Sequence, residues 1–253
     1  MDVLERNDPI DLDARLDELA RRYKRAGGLG IELLNLIGGQ AENLLDRLPT
    51  GVREGLGKAT HHALEQAMKM ANGSRQYVPD QKSWLNSAVG AAMGAVGGLG
   101  GLPTALAELP VTTTLLVRVI QGVAQEHGFD PTADSVRFDC LHVLSAAGPL
   151  EEDDGADLGF LSARVALTGA AVQGLIARVS PRLAMVLGQK LAAQTVPVLG
   201  AVAGAATNYA YTNYYQEIAH VHFGLRRLAL DADMPLEQLV QLLRERLPQT
   251  ALR

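Results

Sequence analysis

The chain has 253 residues, 47% hydrophobic but only 4% aromatic, a formal net charge of −5 and one cysteine. This length suits one large domain or two small ones with cores of Ala, Leu and Val. The lack of a long Lys/Arg run argues against a nucleic-acid partner, and the lone Cys140 excludes an intrachain disulfide or a Cys-based zinc site.

The acidic N-terminus, MDVLERNDPIDLDARLDELA, lacks the basic start and apolar stretch of a secretory signal, so a cytoplasmic location is expected. Leu12, Leu16 and Leu19 recur at helical spacing, and RRYKR (21–25) reads as the solvated face of that amphipathic helix. A second helical segment carries Leu33, Leu34, Ile37, Leu44 and Leu45 and ends near Pro49; a third carries Val52, Leu56, Ala63, Ala67 and Met70 and ends at Gly73. No segment alternates with a period of two, so strands are not expected.

Between Lys82 and Glu108 the chain carries no charge. Gly90, Gly94 and Gly98 fall four apart, which lines them on one helix face and lets another helix approach closely. Pro110 predicts either a kink or the true start of a helix that closes at Gly128. A turn at Asp130 and Pro131 leads to another helix, containing Cys140 as a buried, inert thiol. The stretch PLEEDDGADLG (149–159) reads as a solvated acidic connector, because its Asp spacing does not fit a calcium loop. A second charge-free stretch lies between Lys190 and Glu217, with Gly200 and Gly204 repeating the spacing of four and Pro197 interrupting. A closing amphipathic helix opens near Pro235.

Neither glycine-rich stretch is a phosphate loop: no Gly-Lys-Ser/Thr follows the glycines and no strand precedes them. About 20 apolar residues suffice to span a bilayer, so insertion is open by length. Interrupting Gly, Pro and polar residues favour buried or membrane-peripheral hairpins.

The segment GAVGGLGGLPTALAELPVTTTLLVRVIQGVAQEHGFDP resembles the signature of the EcsC family of bacterial proteins. Its matching features are the Gly-rich turn, the acidic-x-Pro step at Glu108–Pro110, Arg118 in an apolar helix, and the end at Gly128–Pro131. LGQKLAAQTVPVLGAVAGAATNYAY resembles the family's second half at Lys190, Pro197, Gly200 and Asn208. That family is named for a gene beside an ABC transporter linked to protein secretion and processing. The resemblance implies an all-helical, membrane-associated protein of unassigned biochemistry. The expected layout is N-terminal amphipathic helices over 1–44, an EcsC-like helical domain over 45–230 with the 149–159 loop between its halves, and a C-terminal amphipathic helix over 231–253. The expected fold is an all-α, multi-helix bundle in which two Gly-rich apolar helical hairpins pack together.

Glu108, Arg118, Lys190, Asn208 and Glu217 form the candidate polar cluster, because each would be costly to bury alone. The simplest arrangement docks the hairpins with Glu108 near Lys190 or Arg118 near Glu217. Glu217 and His220 form one Glu-x-x-His step, whereas a di-metal bundle needs two such steps and more carboxylates, so no metal and no cofactor is expected. His61, His62 and Glu65 read as helix-surface groups, and His127 with Asp130 as the end of a helix and the start of a turn. The leading expectation is a non-enzymatic protein on the cytoplasmic side, peripheral on or inserted in the inner membrane. It would engage lipid, a membrane surface or a membrane-protein partner. The alternative is a hydrolase or metal-dependent enzyme built on Glu108, Arg118, Lys190 and His220.

Overall fold

The computed structural model describes residues 11–36, 45–74, 109–146, 169–194 and 200–247. Among them are seven α-helices, one 3-10 turn at Leu45–Arg47 and no strand. The helices are α1 (Leu12–Leu36), α2 (Thr50–Ser74), α3 (Leu109–Glu126), α4 (Asp134–Val143), α5 (Gly169–Gln194), α6 (Gly200–Asp231) and α7 (Leu236–Arg246). The all-α expectation holds. Glu108, Gly90, Gly94, Gly98, the first expected hairpin and the 149–159 loop lie outside the described residues. The second expected hairpin corresponds to α5 and α6, which pack on one another.

The Asp11 carboxylate caps α1 by accepting the Ala14 N–H at 2.9 Å. Leu16, Leu19, Ala20, Tyr23 and Ala26 are buried along one face. The helix continues through Gly27 and Gly28 to Leu36, joining two segments that read as separate helices. Pro110 is the second described residue of α3, and the residues before Leu109, which would decide between a start and a kink, lie outside the described ones. Gly128, at φ 79°, ends it. Phe129 N–H bonds the Ala124 carbonyl at 3.0 Å and Gly128 N–H bonds that of Gln125 at 2.9 Å, the paired closure of a left-handed C-terminus. In α5 the interior Pro181 has no N–H to give the preceding turn. Beside it, the Ser180 hydroxyl bonds the Ile176 carbonyl at 2.5 Å and lies 3.1 Å from Nδ1 of His61, tying α5 to α2.

The 32-residue α6 is the hub, touched by α1, α3, α4, α5 and α7, while α2 lies on α3 and α5. Tyr211, Tyr215, Ile218 and Phe223 bring α6 into the core against Leu16, Leu116, Ile120 and Leu141. Leu19 meets α6 at Gly224, and Arg22 and Arg25 meet it at Glu217, so α1 runs antiparallel to α6.

Among the described glycines, close approach falls on Gly188 and Gly224. A Cβ on Gly188 would stand 2.6 Å from Cδ2 of Leu56 and 2.7 Å from Cδ2 of Leu45; one on Gly224 would stand 2.6 Å from Cδ2 of Leu19. Gly200 and Gly204 lie in the first five residues of α6, and the surroundings of both lie outside the described side chains. A Cβ on Gly174, inside α5, would meet nothing within 4 Å. Gly188→Val should therefore lower stability by about 2 kcal/mol through overpacking. Gly174→Ala should raise it by about 0.5–1 kcal/mol through helix propensity. Urea denaturation of the two variants checks both signs.

Candidate functional site

The candidate polar residues separate along α3. Near its start, Thr112 accepts a hydrogen bond at 3.2 Å from Nζ of Lys190, which is fully buried. At its other end, Glu126 and His127 face His220. Fourteen residues of helix between Thr112 and Glu126 span about 21 Å. Lys190 and His220 therefore lie at opposite ends of α3, with Arg118 half-buried between them. Asn208 is buried on α6, and its Oδ1 has no hydrogen-bond partner among the described residues.

The expected pairing of Arg118 with Glu217 is replaced by another. Glu217 is 7% exposed, and its two carboxylate oxygens each take a guanidinium at 3.1 Å, Oε2 from Arg22 and Oε1 from Arg25. The RRYKR stretch is thus only partly a solvated face: Arg21 and Lys24 are exposed, Tyr23 is buried, and Arg22 and Arg25 neutralise a core carboxylate. Arg22 also lies 3.5 Å from Glu18, one turn back. With both oxygens engaged, Glu217 is not available as a metal ligand beside His220. No group of three His, Cys, Asp or Glu residues suited to a metal occurs among the described residues.

Behind this cluster, His127 Nε2 lies 3.2 Å from His220 Nδ1, with the rings edge to face. Burial pushes the His220 imidazole down to about 3, aided by the charges of Arg22, His127 and Arg25. Burial also lowers His127, with Arg22 and Arg15 adding to the effect. Both rings are therefore neutral at neutral pH and share one proton across their contact. Glu126 Oε2 lies 3.8 Å from His220 Nε2 and favours the tautomer carrying its proton there. His220 Nδ1 then accepts from His127 Nε2–H, which leaves His127 Nδ1 as an acceptor. Asp130 takes no part; its carboxylate accepts the Thr132 N–H at 2.8 Å to shape the turn.

Some of these groups border a cleft of about 780 Å³ between α1, the end of α3 and the last turns of α6, while Glu217 and His220 lie behind its lining. Its size is typical of small-molecule sites. Arg15, Arg22, Glu126 and His127 line it; Arg118 and Lys190 do not. Sequence reasoning missed Arg22, Glu126 and His127, because each contact joins residues far apart in the chain. On the adjoining side of α6, fully buried His222 lies 3.4 Å from Asp139, which also pairs with Arg226. Burial pushes His222 down to about 4. Arg226 in turn lies over the Phe129 ring at 4.6 Å. This second cluster pins α4 to α6.

The model of the EcsC protein family matches residues 40–228. No curated protein and no solved structure matches the chain.

Two outcomes follow from these contacts. Either arginine alone can neutralise Glu217, so Arg22→Met and Arg25→Met should each cost about 1 kcal/mol or less. The double variant should cost more than their sum, about 3 kcal/mol, because it strands a buried carboxylate. Denaturant titration of the cycle reads this. The depressed histidines set the acid limb. The unfolded chain binds protons near the ordinary value of 6.5, while folded His220 and His222 resist to about 3 and about 4. Their contribution is complete above pH 6.5 and drains as pH falls from there toward 4 and 3. The urea midpoint should drop steadily between pH 6.5 and 4, and His220→Gln should flatten that drop.

Proposed function

The chain belongs to the EcsC protein family, and from that premise we propose that it is a non-enzymatic helical protein that engages a membrane surface peripherally from the cytoplasmic side. The observation that carries this reading is where the charge-free stretches meet the bundle. Residues 83–107 end next to Glu108, one residue before α3, and residues 191–216 cover the join from α5 to α6. The Lys190–Thr112 bond brings the end of α5 to the start of α3. In the halves of their helices that adjoin this end, Val111 is 49% exposed, and Met185 and Tyr209 are 48% exposed each. An apolar side chain and a tyrosine held out of the core suit the interfacial layer of a bilayer.

No helix among the described residues is long and apolar enough to cross a membrane. Much of the second stretch is already committed inward: Thr207, Asn208, Ala210, Tyr211 and Thr212 are buried in the bundle. This supports peripheral contact for that stretch rather than insertion. An enzyme built on Glu108, Arg118, Lys190 and His220 has less support, because Lys190 and His220 stand at opposite ends of α3.

Flotation with lipid vesicles tests the reading. Burying half of each of two such side chains contributes about 2 kcal/mol, roughly 30-fold in partitioning. The parent should float with the vesicles. Val111→Ser/Tyr209→Ser should float far less while melting like the parent. A parent that stays at the bottom of the gradient, or a variant that floats equally, overturns the proposal.

A further inference from the structure

The cleft lies at the other end of α3 from the proposed membrane face and does not depend on that proposal. Most of its charges are already balanced internally. Arg227 pairs with Asp231, and Glu18, Arg22, Arg25 and Glu217 form one linked group. Three lining charges lie outside these pairs: Asp11, whose carboxylate is taken up by the Ala14 N–H at the start of α1, Arg15 and Glu126. Arg15, on α1, has no ion-pair partner among the described residues. Glu126, at the end of α3, faces only the uncharged imidazole of His220. Between them His127 presents an uncharged ring whose second nitrogen is an acceptor, given the proton order set by Glu126.

We infer that the cleft is a binding site for a small zwitterion, a primary amine that also carries a carboxylate or phosphate. The oxyanion pairs with the Arg15 guanidinium, whose planar fork suits carboxylate and phosphate alike. The ammonium donates to Glu126 and to the free nitrogen of His127. A simple anion would leave Glu126 opposing it, and a simple cation would meet Arg15, so each single charge is disfavoured. Gly224 lines the cleft beside His127, where α6 comes closest to Leu19 of α1. Free amino acids and the phosphoethanolamine headgroup of a lipid share this chemistry.

Isothermal titration calorimetry of the full chain with glycine, β-alanine and phosphoethanolamine tests the inference. Ethanolamine and inorganic phosphate serve as single-charge controls. At least one zwitterion should bind saturably, and Arg15→Met and Glu126→Gln should each weaken it about tenfold. Arg15→Lys should restore part of the affinity. Both residues lie at the surface, and unchanged melting of the variants separates lost binding from lost fold. Vesicles distinguish the sources. If Glu126→Gln lowers flotation with phosphatidylethanolamine but not phosphatidylcholine, the ligand is a headgroup; if flotation is equal while a soluble zwitterion binds, it is a free solute. Val111→Ser/Tyr209→Ser should leave the titrations unchanged, so failure of the membrane reading does not affect this one. The inference is overturned if no zwitterion binds, if neither variant weakens binding, or if a single-charge control binds as tightly.

Discussion

A carboxylate carried into the core must be neutralised, and in this protein that requirement falls on Glu217. The hub helix α6 brings it to 7% exposure, and α1 answers with Arg22 and Arg25. Several features follow from that one contact. It sets α1 antiparallel to α6. It places two guanidiniums beside His220 and so helps keep the His127–His220 pair uncharged. One of its members, Arg22, also lines the cleft between α1 and the end of α3. The matched family region begins at residue 40, so the counter-charge for a residue inside that region comes from outside it. The α1 segment is therefore part of the electrostatic core of the bundle.

The fold class was legible because helical periodicity is local. Leu16 and Leu19 could be assigned to a buried face from their spacing alone, and Gly128 marked the end of α3 through its backbone geometry. The ion pairs were not legible. Arg22 and Glu217 are 195 residues apart, and nothing in the local pattern of either distinguishes a surface charge from a core one. The search for apolar runs with charges at their borders correctly singled out Lys190 and Glu217 as buried. The expected pairs joined one apolar stretch to the other, Glu108 with Lys190 or Arg118 with Glu217, whereas the geometry supplied Thr112 and two arginines of α1. The contacts at Gly188 and Gly224 carried no mark in the sequence, because they depend on where leucines of other elements arrive. The cleft residues His127 and Glu126 were read as the end of a helix, which they are; their second role depends on α6 passing beside them.

The helix α3 acts as a spacer between two different environments. At its start a lysine side chain is fully buried and the chain's least charged segments join the bundle. At its end charged side chains line an open cleft. Such a separation lets one end change its surroundings without moving charges at the other.

Beyond the matched region, Arg246 of α7 reaches back to Asp13 and Asp17 of α1, the latter at 3.1 Å across 229 residues of sequence. Together with the Glu217 contact, this makes the first helix wait for the last ones. During synthesis at roughly 5–20 residues per second, the 192 residues between Arg25 and Glu217 take roughly 10–40 s to appear. For that interval α1 has made its leucine face but lacks α6 and α7, the described helices it packs on. A nascent chain of this kind stays open at its beginning until its end is in hand, so a ribosome stalled before α6 would hold out an amphipathic helix to chaperones or to any apolar surface nearby.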